Sequence, residues 1–140
     1  MKNDCLFCAI AAGEIPSVKI YEDDDVLAFL DISPVEKGHT LVVSKRSHDA
    51  NLIEAPDGVV SELLAAARKI GAAMVEAGVG GFNVVQNNFE AAGQTVMHLH
   101  FHVIPRIAGT APVAWSNGAN PYRDDAERDE YAAKIRACIR

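Results

Sequence analysis

Hydrophobic and polar positions divide the chain into short segments with different periods. Residues 5–12 form an apolar stretch with helical spacing that Gly13 stops, and Glu14-Ile15-Pro16-Ser17 turns the chain. Residues 18–21 and 26–30 are short β-rich runs separated by the acidic turn Glu22-Asp23-Asp24-Asp25, which predicts a hairpin. A loop at residues 34–38 leads into a third strand, Thr40-Leu41-Val42-Val43, and residues 44–51 form a polar loop. Val60, Leu63, Leu64, Ala67, Ile70, Met74 and Val75 recur at spacings of three and four, the stripe of a long helix with Asp57 as its N-cap and Gly78 at its stop. Residues 82–85 and 96–104 are two more strands, joined by a loop containing Gly93, and Pro105 ends the second. Residues 108–122 are rich in Gly, Pro and Asn, after which Asp124 or Asp125 caps a last helix carrying Tyr131, Ile135 and Ile139. With no repeat and no dividing linker, the expectation is one α+β domain over residues 1–140: a largely antiparallel sheet, one long helix and short N- and C-terminal helices.

Composition narrows the classes. A chain of 140 residues that is 49% hydrophobic and 23% charged buries enough surface to hold a core without a disulfide framework. The formal charge of −6 argues against a nucleic-acid partner, because no basic stripe is present. No apolar run approaches the roughly 18 residues of a membrane span, and Met1-Lys2-Asn3-Asp4 lacks the build of a signal peptide, so the expectation is a cytoplasmic protein with no membrane partner. Cys5 and Cys8 are too close to staple a fold, which favours metal or redox chemistry over structural disulfides.

The segment richest in chemistry is Met97-His98-Leu99-His100-Phe101-His102-Val103-Ile104-Pro105. Three of the five histidines alternate here, an arrangement expected about 0.006 times by chance at this histidine content. On a strand such residues share a face about 6.6 Å apart, while Leu99, Phe101 and Val103 point into the core. Three readings follow: a satisfied polar face, a set of zinc ligands in a metal hydrolase, or a nucleophilic imidazole flanked by groups that fix its tautomer. Spacing alone does not separate the last two.

These residues resemble the histidine triad family, whose signature His-φ-His-φ-His-φ-φ, with φ apolar, is met at every position by His98 to Ile104. Asp31-Ile32-Ser33-Pro34, Gly38-His39-Thr40-Leu41-Val42-Val43 and Gly93-Gln94-Thr95-Val96 resemble the family's other blocks in the same order, and Cys5-Leu6-Phe7-Cys8 resembles the opening of its Hint-like bacterial and archaeal branch. The resemblance implies a five-stranded antiparallel sheet per subunit and a homodimer, with the tail at 108–140 as a candidate dimer contact. It implies a nucleotide hydrolase or transferase acting on purine nucleoside phosphoramidates or adenylated compounds. His100 would be the nucleophile that forms a covalent nucleotidyl-histidine, and His102 would contact the phosphoryl oxygens or leaving group. Asp31 matches the residue that holds the ribose hydroxyls, although Asp also commonly starts a turn. Asn87, Gly93 and Thr95 match the phosphate cradle, and His39 matches a histidine near the triad, where a structural hydrogen bond serves as well as catalysis. Gln94 sits in the cradle block without a role, and Phe89 stands where relatives tend to have Gly, so the local backbone is expected to differ.

In zinc-bearing relatives the two thiolates are joined by histidines that here are His48 and His98, which implies a structural zinc behind the triad. The interval from His39 to His48 is one residue longer than the common pattern, with Ser47 as the addition. Cys138 is expected to pack as a small apolar side chain, and Trp115 is a packing anchor or a substrate contact. Two other readings stay open: a zinc-stabilised nucleotide-binding or regulatory protein with incidental turnover, and a dinucleoside polyphosphate hydrolase. A galactose-1-phosphate uridylyltransferase is disfavoured, because that branch has Gln at the position of His102, and an aprataxin-type DNA deadenylase lacks its basic extension here.

Overall fold

Strands that are apolar at every position need cover on both faces. The computed structural model, which describes residues 2–109, 118 and 120–140, provides that cover; Trp115 lies outside these residues. Its elements run α1 (Leu6–Ala11), β1 (Lys19–Glu22), β2 (Val26–Leu30), β3 (Thr40–Ser44), α2 (Asp57–Glu76), β4 (Gly81–Val85), a 3-10 turn (Glu90–Ala92), β5 (His100–Arg106) and α3 (Asp125–Ala137). The five strands form one antiparallel sheet in the order β1-β2-β3-β5-β4, the α+β arrangement expected from the pattern. β5 lies between β3 and β4, so His102 faces Leu41 across one ladder and Val85 across the other.

Alternation along the strands sorts the side chains into two cores. Ala28, Leu30, Val42, Phe101 and Val103 pack with Leu63, Ala67, Ile70 and Met74 of α2. Leu27, Phe29, Leu41 and Val43 pack on the opposite face with Cys5, Phe7, Cys8 and Ile10. His100 and His102 therefore emerge on the α1 face, among Leu and Val cross-strand neighbours. α3 packs on β1 and α2, with Ala132 and Ile135 buried and Cys138 partly buried against the same core. Its N-cap is Asp124, whose Oδ1 accepts the Glu127 amide at 2.8 Å.

Several expectations are corrected. The N-cap of α2 is Pro56, and Asp57 is the first helical residue, its carboxylate set against the positive end of the helix. The buried stripe includes Val59, Ala66 and Ala73, whereas Val60 is half-buried and Leu64 and Val75 are exposed. Small residues at 66, 67, 71 and 73 let the helix sit close on the sheet, a contact that counting large apolar residues overlooks. β5 starts at His100 rather than at 96, because β3 pairing ends at Val43↔His100 and the chain beyond Ser44 turns away. His98 thus precedes the strand instead of sharing it, and the next amide, of Leu99, donates to the Asp49 carbonyl at 2.7 Å. Pro105 does not end β5. It pairs with Phe82 beyond the last β3 rung, Thr40↔Val103, where the strand has a neighbour on one side only.

Gly38 joins three elements at the entry to β3. Its φ is +97°, a Cβ there would stand 3.2 Å from Pro105 Cγ and 3.3 Å from Ile135 Cδ1, and its amide donates to the Tyr122 hydroxyl at 2.7 Å. Gly38→Ala is expected to cost about 1–3 kcal/mol from backbone strain and overpacking. Urea denaturation checks this, and a variant as stable as the parent contradicts it.

Candidate active site and metal centre

A cavity of about 720 Å³ opens on the α1 face. Leu6, Phe7 and Ile10 of α1, with Ile15, Pro16 and Phe29, give it an apolar wall, and Asp31, Gly93, Thr95, His100 and His102 line its polar part. Another groove, of about 670 Å³ between the β1–β2 hairpin, α2 and the C-terminal residues, contains none of these groups. His39 is wholly buried behind the cavity, and Asn87 adjoins it through Gly93, with Asn87 Nδ2 3.8 Å from where a Gly93 Cβ would stand.

Backbone groups fix the histidine tautomers. The Val35 amide donates to His39 Nδ1 at 3.0 Å, so a neutral His39 carries its proton on Nε2, which lies 2.9 Å from His102 Nδ1. His39 therefore donates to His102, and the His102 proton sits on Nε2. The His98 carbonyl can only accept, so His100 Nδ1 donates to it at 2.6 Å and the His100 lone pair is left on Nε2. Burial, reinforced by neighbouring positive charge, holds His39 down to about 4 and His102 to about 3, and burial also holds His100 below its usual value. All three rings are thus neutral near pH 7. Asp31 starts a turn, one of its two expected uses, and also lines the cavity. Oδ1 accepts the Ser33 amide at 2.8 Å in a turn, Oδ2 lies 3.7 Å from His39 Nε2, and burial pushes the carboxyl up. Asp31, His39 and His102 have ligand atoms close enough for a metal, but His39 Nε2 bears the proton, which takes it out of a ligand set.

The loop at 86–96 is where the sequence reading left most unsaid. Gln94, 1% exposed, accepts the Phe89 amide at 2.8 Å on Oε1 and donates through Nε2 to the Ala50 and Val96 carbonyls at 2.5 and 3.0 Å. It is a clamp across the base of the loop. Phe89 is held at φ 71°, ψ 157°, a region populated almost only by glycine. The structure thus shows not a backbone altered to suit Phe, as expected, but a side chain held in a conformation that suits glycine.

Cys5, Cys8, His48 and His98 converge, with every ligand atom within 4.8 Å of the others. Cys5 Sγ and Cys8 Sγ each lie 3.4 Å from His98 Nδ1, and Cys8 Sγ lies 3.2 Å from His48 Nδ1. Sulfur and nitrogen ligands on one tetrahedral zinc stand about 3.5 Å apart, so two thiols and two imidazoles at these separations fit that ion. Cys5 reaches the cluster as the N-cap of α1. The additional Ser47 is absorbed in a turn in which Ser44 Oγ accepts the Arg46 and Ser47 amides at 3.1 and 3.3 Å, which still delivers His48. His98 faces both centres: its ring joins the cluster and its carbonyl holds His100. Phe7 packs its ring against His100 and His98, at centroid separations of 5.0 and 6.0 Å.

Comparison with known proteins matches a HIT domain model over residues 12–109. An adenosine 5′-monophosphoramidase of Schizosaccharomyces pombe is 44% identical over 102 residues, 73% of this chain and 74% of that protein. Adenylylsulfatase HINT3 of Arabidopsis thaliana is 38% identical over 141 residues, 100% of this chain and 70% of that protein. A zinc-bound histidine triad family protein from Mycobacterium smegmatis superposes with a TM-score of 0.87 at 36% identity, covering 97% of this chain and 93% of the other.

The depressed histidines have a thermodynamic consequence. Above about pH 6.5 both are neutral whether the chain is folded or not; below it the unfolded chain takes up protons that folded His39 refuses until about 4 and His102 until about 3. Stability is expected to fall as the pH drops from about 6.5 toward 4, with Asp31, raised by burial, acting in the opposite sense. Urea midpoints at pH 7.5 and 5.0, taken in excess chelator to remove the contribution of metal release, test this. A midpoint that does not fall on acidification refutes it.

Proposed function

The chain belongs to the HIT domain family, and on that premise we propose that it is a nucleotide hydrolase or transferase that cleaves purine nucleoside phosphoramidates or related adenylated compounds through a nucleotidyl-histidine. The observation that carries this reading is the pair of fixed tautomers, which leaves a lone pair on His100 Nε2 and a proton on His102 Nε2 at one cavity. The relatives named as a monophosphoramidase and an adenylylsulfatase support an adenylated substrate.

His100 Nε2 attacks the α-phosphorus, and the leaving group departs with the electron pair of its bond to phosphorus and takes a proton from solvent. The His98 carbonyl, accepting from Nδ1–H, stabilises the positive charge that develops on the His100 ring. His102, kept neutral by burial, donates its Nε2–H to a phosphoryl oxygen without giving the proton away. Water then attacks phosphorus and returns a proton to solvent, the P–Nε2 bond breaks, and His100 regains its lone pair as the nucleotide leaves. Asp31 accepts from the ribose hydroxyls, the apolar wall takes the base, and Asn87, Gly93 and Thr95 hold the phosphate, with His39 orienting His102 from behind.

Cys5, Cys8, His48 and His98 would hold zinc, which when bound supplies a structural clip between α1 and the segment leading into β5. We place residues 1–140 in one module that works as a homodimer in the cytoplasm. Support comes from β4, the last strand of the sheet among the described residues, which offers a free edge to a second copy. Unpaired buried thiols suit a reducing compartment, and no helix among the described residues is long and apolar enough to cross a membrane.

His100→Ala is expected to lower turnover of adenosine 5′-monophosphoramidate by at least about a thousandfold while leaving AMP affinity within about twofold. Both parent and variant are expected to retain about one zinc per chain by metal analysis. Unchanged turnover in the variant overturns the covalent mechanism. A parent that binds AMP and turns nothing over supports a binding protein instead.

A further inference from the structure

The HIT model ends at residue 109, so α3 lies beyond it. This helix nevertheless reaches the cavity. The segment leading into it is fastened to the loop that follows Asp31: the Gly118 amide donates to the Ser33 carbonyl at 3.0 Å, and Asn120 Nδ2 to Glu36 at 2.9 Å. Lys37 Nζ meets Glu127 Oε1 at 2.8 Å, and Tyr122 accepts from the Gly38 amide at 2.7 Å. These ties hold the first turn of α3 at the cavity that Asp31 also lines. Arg128 is there the one Lys or Arg among the described residues lining the cavity. Asp31 and Arg128 act with opposite sign on the Tyr122 phenol, which fits that placement.

Arg128 has little work to do for the helix itself. Its Nε and Nη2 lie 3.2 and 3.1 Å from Asp129 Oδ1, and its Nη1 lies 3.3 Å from Asp125 Oδ1. Both partners are on α3 with side chains 59% and 88% exposed, and such pairs contribute little to stability. They do orient the guanidinium, and they leave some of its five N–H donors for a ligand. Asp31 lines the same cavity, and Asp125 and Asp129 already pair with Arg128, which disfavours a second anion and favours a neutral hydroxyl.

We infer that Arg128 is a specificity-determining residue for the sugar, donating to the oxygen of a ribose hydroxyl whose hydrogen Asp31 accepts. The inference rests on the nucleotide reading above. A hydroxyl is both donor and acceptor, a carboxylate only accepts and a guanidinium only donates, so together they complete a hydroxyl that Asp31 alone satisfies on one side. A deoxy sugar would leave both groups without their partner, which is how a polar site rejects an analogue.

The test compares the parent, Arg128→Ala and Arg128→Lys on adenosine 5′-monophosphoramidate and its 2′-deoxy and 3′-deoxy analogues, with AMP binding by calorimetry and melting temperature for each protein. Arg128→Ala is expected to raise KM for the ribose substrate about tenfold with kcat within twofold. The KM for one deoxy analogue should stay nearly unchanged, so that the preference for the hydroxyl shrinks by the same factor, and Arg128→Lys should recover part of it. Equal effects on the ribose and both deoxy substrates, or no effect on any, overturn the inference while the nucleotide reading stands. A parent that neither binds AMP nor turns over the phosphoramidate overturns both.

Discussion

A strand that carries imidazoles where its neighbours carry leucine and valine must pair the ring nitrogens that turn into the protein and present the others to the cavity. An unpaired polar group buried within a sheet costs roughly 1–3 kcal/mol. Every buried side-chain nitrogen and oxygen among the described residues has its partner. The consequence is a series of donors and acceptors, from the Val35 amide through His39 to His102 and from His100 to the His98 carbonyl. Each link has its direction set by a backbone group that can act in only one sense. Satisfying the interior and choosing the tautomers are therefore the same event, and the low proton affinities follow from the burial that makes the pairing necessary.

Much of this was legible in the sequence because the strongest signals were periodic or compositional. The alternation of His98 to Val103 established which residues face the core, and the spacing of Leu63, Ala67, Ile70 and Met74 established the helix that covers them. The cysteine pair and His48 converge despite the added Ser47, since a hydroxyl-capped turn absorbs one residue cheaply. Strand ends were less legible. β5 stops short of His98 because its neighbours leave, and where a neighbour leaves is a property of the sheet rather than of the strand's own residues. Pro105 looked like a terminator for the same reason, since whether a missing amide matters depends on which side is paired.

Two parts of the site had almost no local signature. Gln94 is a polar residue in a polar loop, and its clamp is visible only once Ala50 and Phe89 are beside it. Arg128 belongs to a helix whose own pattern says only that it is amphipathic. Its position at the cavity is created by contacts from residues 118–127 to the loop after Asp31, across more than eighty positions of sequence. Such residues become evident through tertiary geometry because their partners are distant and chemically ordinary.

The position of His98 between two centres bears on how the molecule comes together. Cys5 and His98 are 93 positions apart, so the cluster closes a loop spanning most of the chain, the kind of long-range contact that forms late. The same helix that carries the thiols also carries Leu6, Phe7 and Ile10 of the cavity wall. During synthesis from the N-terminus, the cysteines and the wall emerge long before the residues they are to join. A chain interrupted before residue 98 has a hairpin and a helix to build but no recess for a ligand; the last central strand supplies the imidazoles, and Arg128 follows only when α3 has been made.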